Sequence, residues 1–211
     1  MDSRLEMLYG RYSVRRFTED SVPKEDLVAI LEAGTMAPSG KNSQNWHFIV
    51  VTDRKKIEDI AGIVENKIHS IADTLLEADG DMLRKGIPYA TVFKGAPVLI
   101  LMYTGPYPGV HNMMERANRP IEEVHGMARI NAAIQNTSAA FENILLAAAA
   151  MGYGTCWMVG PAMAAKEITE YLDFKKEGYF LSAVTPLGVP ESTEFKRVRR
   201  KEVEEVSTFI E

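Results

Sequence analysis

Apolar positions recur along the chain at helical spacing in some segments and fill short unbroken runs in others. Leu27, Ile30 and Leu31 fall on one face behind Pro23, Glu25 and Asp26. This predicts a helix over 22–33 with Gly34 as its stop. His47 to Val51 (HFIVV) is short and rich in β-branched residues and reads as a strand. Asp53 then caps a second helix, with Ile57, Ile60, Val64, Ile68, Ile71 and Leu75 on one stripe. The run 96–103 (APVLILMY) is apolar throughout, as a central strand covered on both faces would be. Residues 128–150 form the most apolar helix, with Ile130, Ile134, Phe141, Ile144, Leu145 and Ala148 on one side and alanines over much of the rest. Such a helix needs cover all round, and a subunit interface can supply it. A short helix at 164–172, a strand at 179–186 and a β-rich end from Val203 to Ile210 complete the pattern. Residues 78–94 show no clear period. Residues 104–125, rich in Gly, Pro, His and Asn, read as a surface excursion of the kind that often carries function. Helices and strands are mixed without strict βαβ alternation, so the fold class is α+β.

Composition adds bounds. The 211 residues suit one domain, and no repeat or linker divides them. An apolar share of 46% with 25% charged excludes a disordered or fibrous chain. One cysteine, Cys156, allows no intramolecular disulfide and points to a reducing compartment. The N-terminus shows no apolar signal region, so a cytoplasmic location is expected. The longest uncharged run, 143–165, is broken by Gly152-Tyr153-Gly154 and Gly160-Pro161 and reads as a buried helix and loop, not a membrane span. The net charge of −5 argues against nucleic acid as a partner. Yet 8 of the 24 basic residues crowd into 11–16 (RYSVRR) and 196–201 (KRVRRK), leaving 16 positive against 29 negative charges elsewhere. Two basic patches on an acidic chain suit a small anionic ligand.

Familiar catalytic devices are missing. There is no G-x-G-x-x-G after a strand, no Walker sequence, no H-E-x-x-H and no G-x-S-x-G. The four histidines are scattered and none stands at metal-ligand spacing with Cys156, which reads as a small core residue. What remains is binding architecture. In R-Y-S-V-R-R-F (11–17), Arg11, Ser13 and Arg15 share one face if the segment is extended. Two planar guanidiniums beside a hydroxyl suit phosphate or carboxylate, although a solvated basic turn explains the run equally well. In A-P-S-G-K-N-S-Q-N-W (37–46), Ser39, Asn42 and Gln44 offer mixed donors and acceptors, as any polar loop does, while Trp46 reads as core. In M-G-Y-G-T-C-W-M-V-G-P (151–161), glycines let backbone approach a flat ligand. T-P-L-G-V-P (185–190) runs into the second basic patch, whose rival reading is an RNA- or membrane-binding tail.

In this order, these pieces resemble the FMN-dependent nitroreductase family. R-x-S-x-R-x-F, then V-P-x-x-x-L-x-x-I-L-E-A-G, then A-P-S-G-x-N-x-Q-x-W-H-F match its N-terminal half. G-Y-G-T-C-W-M-V-G, P-L-G and R-K-x-V-E-E-V match its C-terminal half. The likeness spans nearly the whole chain and is weakest over 65–125. It implies a single domain over 1–211, built as an α/β sandwich with a mostly antiparallel sheet wrapped by helices. It also implies an intertwined homodimer with FMN at the subunit interface and a C-terminal extension (196–211) around the partner.

By position, the resemblance assigns Arg11, Ser13, Arg15 and Arg200 to the FMN phosphate and ribityl chain, with Tyr12 contributing through its backbone. Arg200 is preferred over Arg197 and Arg199 because it aligns with R-K-x-V-E-E-V. Pro38, Ser39 and Asn42, with Gln44 nearby, would come from the second subunit. Trp157, Met158, Val159 and Gly160 would lie against the isoalloxazine, and Gln135 is a further candidate on the long helix. NADH or NADPH would reduce the flavin, and a nitroaromatic, quinone or similar small acceptor would reoxidise it in ping-pong fashion. No catalytic side chain and no metal would be required. Residues 78–125 would cap the pocket, with Tyr89, Phe93, Tyr107 and His111 as contacts. Many members read Q-P-W where this chain has Gln44-Asn45-Trp46, and some carry Glu at the position of Val159. Two rivals stand beside this reading: a flavoenzyme of the same fold with other chemistry (reductive dehalogenation or flavin fragmentation), and a non-catalytic nucleotide-binding protein.

Overall fold

A computed structural model describes residues 2–194 and 198–210. Four antiparallel strands form one sheet: β1 (Trp46–Val51), β2 (Val98–Thr104), β3 (Gly154–Thr155) and β4 (Phe180–Gly188), in the order β1-β2-β4-β3. β2 is central, paired from Trp46↔Thr104 to Val51↔Leu99 on one side and with β4 on the other. Its apolar run is buried at every residue because each face meets a helical layer. Leu99, Leu101 and Tyr103 meet Ile57, Ile60, Val64 and Ile68 of α3 (Arg54–Ala72). Val98, Ile100 and Met102 meet Leu27 and Ile30 of α2 (Lys24–Thr35) and Phe141, Ile144 and Leu145 of α8 (Ala132–Ala150). The period-two alternation of one strand therefore divides the core in two.

The remaining helices are α1 (Glu6–Gly10), α4 (Glu77–Lys85), α5 (Ile87–Ala90), α6 (Val110–Arg116), α7 (Ile121–Ala128), α9 (Ala165–Tyr171) and α10 (Val203–Val206). Several boundaries differ from expectation. Gly34 does not stop α2 but lies buried in its last turn; a Cβ there would stand 2.7 Å from Ile144 Cγ1, so its missing side chain lets α2 and α8 close together. The long apolar helix begins at Ala132 rather than 128, because Asn131 turns the chain (φ 27°) and its side chain accepts the Ile134 N–H. Ile130 is left outside, exposed. α3 ends at Ala72, so Leu75 lies beyond it, exposed. The excursion at 104–125 is largely helical. The 203–210 end is not β-rich: it holds the single turn α10 and otherwise no regular structure. Lys196 and Arg197 fall outside the described residues. No helix among those described is long and apolar enough to cross a membrane.

Candidate functional site

The site is built on the free side of β4. β3 pairs with β4 at Gly154↔Gly188 and Thr155↔Leu187. Met158 continues the track, donating to Val184 O at 3.0 Å and accepting from Val184 N at 2.9 Å. Side chains alternate along it: Cys156 and Met158 join the α3 layer, while Trp157 turns to the α8 layer and meets Phe141 edge-on at 4.8 Å.

Residues 11–17 lie along the outer side of this track. Ser13 bridges Thr155 in parallel, Val14 N–H donates to Thr155 O at 2.8 Å, and Thr18 N–H donates to Val189 O at 2.9 Å. Gly154 permits this approach, since a Cβ there would meet three Val14 side-chain carbons at 2.7 Å. Val14 and Phe17 are buried while Ser13 and Arg15 face outward. Burial alternates over 13–15, as the R-x-S-x-R spacing requires, and the alternation breaks at Arg16, which is exposed like Arg15.

Arg15 and Cys156 line one cavity, and Ser13 and Arg11 act on the same thiol. Burial pushes the Cys156 thiol up, and the Arg15 charge, the Ser13 hydroxyl and the Arg11 charge partly pull it back. A buried thiol of raised pKa is a poor nucleophile, which fits its core role. Arg11 lies within ion-pair reach of Glu142 of α8, with Nε to Oε1 at 3.9 Å. Arg15 borders a cavity of about 340 Å³ walled by Cys156, Trp157, Met158, Gly160 and Tyr89. Val159, 60% exposed, leads into the 3-10 turn Gly160–Ala164. The first N–H groups of such a turn have no partner inside it. One chain therefore brings together Arg11, Ser13, Arg15, Trp157, Met158, Val159 and Gly160, with Tyr12 between the first two. This set offers guanidiniums and a hydroxyl for a phosphate, and an apolar wall with free amides for a flat ring. FMN fits that donor set.

Pro38, Ser39, Asn42 and Gln44 form a second group that lines neither this cavity nor a larger one of about 710 Å³, which their loop borders only through Lys41. Their loop holds three left-handed residues, Lys41 (φ 56°), Asn42 (φ 52°) and Gln44 (φ 44°), which cost free energy unless surrounding contacts hold them. A buried amide network does so. Asn136 of α8 accepts from Gly40 N–H at 3.0 Å and donates to Asn45 Oδ1 at 2.9 Å and Ser43 Oγ at 3.2 Å. Asn45 in turn donates to Gly105 O at 3.0 Å. The Ser39 hydroxyl accepts from Gln44 N–H at 3.0 Å. Asn45 and Asn136, both buried, are functional candidates that motif reading missed. The signal was present: Asn45 stands where a proline is common, and a proline could not make these side-chain bonds.

Gln135 is exposed on α8, its amide donating to Ile130 O. Arg200 lies in the exposed tail and lines neither cavity; Arg199 there pairs with Glu205 at 3.9 Å. Of the expected capping residues, Tyr89 lines the Arg15 cavity, while Tyr107 and His111 line the other. Phe93 lines neither cavity: it is 0% exposed within the α3 core, where 92–95 packs on α3, while Leu83, Gly86, Tyr89 and Ala90 just before it wall the Arg15 cavity. Among the described residues no group of three or more His, Cys, Asp or Glu could hold a metal ion.

With this geometry in place, comparison with known proteins is informative. The family model for the nitroreductase family matches residues 8–189. A protein of Archaeoglobus fulgidus, provisionally named NADH dehydrogenase/NAD(P)H nitroreductase, is 27% identical over 191 residues, covering 90% of this chain and 87% of its own. An iodotyrosine deiodinase of Thermotoga neapolitana is 32% identical over 106 residues, 47% of this chain and 57% of its own. Among solved structures, a BluB-like flavoprotein of Clostridium difficile 630 superposes with a TM-score of 0.90 at 35% identity, covering 100% of both chains. A nitroreductase with bound FMN from Bacteroides fragilis shares the fold, with a TM-score of 0.76 at 23% identity over 100% of both chains. The ordered basic segment, the track along β4 and the family match converge: the chain belongs to the nitroreductase family.

Proposed function

We infer that this protein is an FMN-dependent oxidoreductase, acting as a homodimer, that takes electrons from NADH or NADPH and passes them to a small nitroaromatic, quinone or similar acceptor. The observation that carries this is the seating of Arg11–Ser13–Arg15 against the 154–158 track. It sets phosphate donors beside an apolar, amide-lined cavity. FMN in the Bacteroides fragilis nitroreductase structure supports the choice of cofactor.

Arg11 and Arg15 would hold the phosphate by charge-assisted hydrogen bonds, with Ser13 beside them. Trp157 and Met158 would wall the ring, and the amides of Val159 and Gly160 would donate to its polar edge. When bound, FMN supplies the hydride chemistry, and the chain supplies binding, orientation and electrostatics. The 38–44 loop, set apart from Arg15 within one chain, would complete the partner subunit's site. Apolar residues left exposed at Leu5, on α1 (Met7, Leu8) and in the tail (Phe209, Ile210) support such an assembly.

A second reading, reductive dehalogenation, is favoured by the partial likeness to an iodotyrosine deiodinase. Anaerobic titration of the FMN-loaded protein separates the readings. Bleaching of the flavin band by NADH or NADPH, and its return with a nitroaromatic or quinone, is expected. A flavin that resists both nucleotides but is reoxidised by a haloaromatic after dithionite reduction would favour dehalogenation. Failure to retain FMN at all would defeat both.

A further inference from the structure

The larger cavity, about 710 Å³, lies between α6, α7, the first turn of α8 and the start of β4. That volume is in the range of small-molecule sites. Its apolar walls, Val110, Met113, Ile130 and Phe180, are 46–57% exposed. The charge of its lining is one-sided. Lys41 and Arg116 line it and no carboxylate of the described residues does, in a chain with 29 acidic against 24 basic residues. Of the acids on the flanking helices, Glu123 pairs with Arg119 at 2.7 Å and Glu115 lies 3.5 Å from the Asn112 amide, and neither lines the cavity; Arg116 has no ion pair among the described residues. Ala132 and Ala133, the positive end of the 19-residue helix α8, line the same space and add to the same sign.

We propose that this cavity binds a small aromatic molecule carrying one carboxylate or comparable anionic group. The ring lies on Val110, Met113, Ile130 and Phe180, and the charge is met by Lys41 and Arg116. Methionine and aromatic side chains favour a flat ring, and excluding carboxylates from the lining selects against cations. That this ligand is also the electron acceptor rests on the flavin reading above; the binding itself does not.

The probe is 4-nitrobenzoate, with nitrobenzene as its uncharged counterpart, titrated calorimetrically into the full-length protein as purified. The expected result is that 4-nitrobenzoate binds at least about tenfold more tightly than nitrobenzene, and that added salt weakens only the former. Arg116→Gln and Lys41→Gln should each weaken 4-nitrobenzoate roughly fivefold and leave nitrobenzene unchanged. Both side chains are exposed, so the variants should fold, which circular dichroism checks. Equal binding of the two probes, or variants that bind 4-nitrobenzoate like the parent, would overturn the proposal. Reduction assays keep the two ideas apart. Selective binding without turnover by NADH or NADPH would sink the flavin reading and keep the cavity. Equal turnover of both probes without selective binding would do the reverse.

Discussion

Truncating Asn136 should loosen the 38–44 loop and cost a calculable share of stability. The side chain makes three hydrogen bonds, to Gly40 N–H (3.0 Å), Asn45 Oδ1 (2.9 Å) and Ser43 Oγ (3.2 Å). At a net value of about 1 kcal/mol each, Asn136→Ala loses about 3 kcal/mol. Asn45 Oδ1 keeps a donor in the Ser43 hydroxyl at 3.2 Å, so it is not fully orphaned. Alanine also returns about 0.5 kcal/mol of helix propensity inside α8. The net expectation is a loss of about 2.5 kcal/mol, read as a lower urea midpoint with an unchanged m-value. Asn45→Ala should be partly redundant with it, because the two share a bond; a double-mutant cycle should give about 1 kcal/mol of coupling. A loss below about 0.5 kcal/mol, or strict additivity, would show that the network does not hold the loop.

Three further outcomes follow from single positions. Thr155→Val should stabilise the protein by about 1 kcal/mol in urea unfolding, since the Thr155 hydroxyl is buried with no hydrogen-bond partner among the described residues; a loss would mean the hydroxyl is satisfied. Gly34→Ala gains about 1 kcal/mol of helix propensity but sets a Cβ 2.7 Å from Ile144 Cγ1 and 3.4 Å from Ala140 O, so a net loss of about 1–2 kcal/mol is expected, and an unchanged unfolding midpoint would refute the tight α2–α8 contact. His47, stacked on Phe174 at 4.9 Å, is held below its ordinary pKa of 6.5 by burial and then by the Lys176 charge. The fold therefore favours neutral imidazole: this contribution is present above pH 6.5 and is lost as pH falls through the lowered value. His47→Phe should flatten the stability–pH curve across that window, and an unchanged slope would count against it.

How much of this was legible in the sequence depends on the range of the interactions. The β2 run announced a central strand because both faces need apolar cover, and the Ile57 to Ile68 stripe announced α3. Arg11, Ser13 and Arg15 were readable because strand alternation is local. The start of α8 was misplaced because Ile130 continues the apolar spacing, although Asn131 followed by Ala132 and Ala133 is a cap signal. The amide network escaped notice for a different reason. Gly40 and Asn136 are 96 positions apart, and nothing in either neighbourhood marks the other. Phe93 was misassigned because an aromatic residue in an aperiodic stretch looks the same whether it covers a pocket or fills a core. The tail misled through its β-branched valines, which in the described structure remain exposed.

The central claim is that the 11–15 segment, seated on the 154–158 track, holds the phosphate of FMN. The most direct test is the FMN dissociation constant of the parent protein against Arg15→Ala, measured by quenching of flavin fluorescence. Loss of one charged hydrogen bond predicts weakening by about 1.5–3 kcal/mol, roughly 10- to 150-fold, with folding unchanged because Arg15 is exposed. An Arg15→Ala variant that binds FMN as tightly as the parent would contradict the claim.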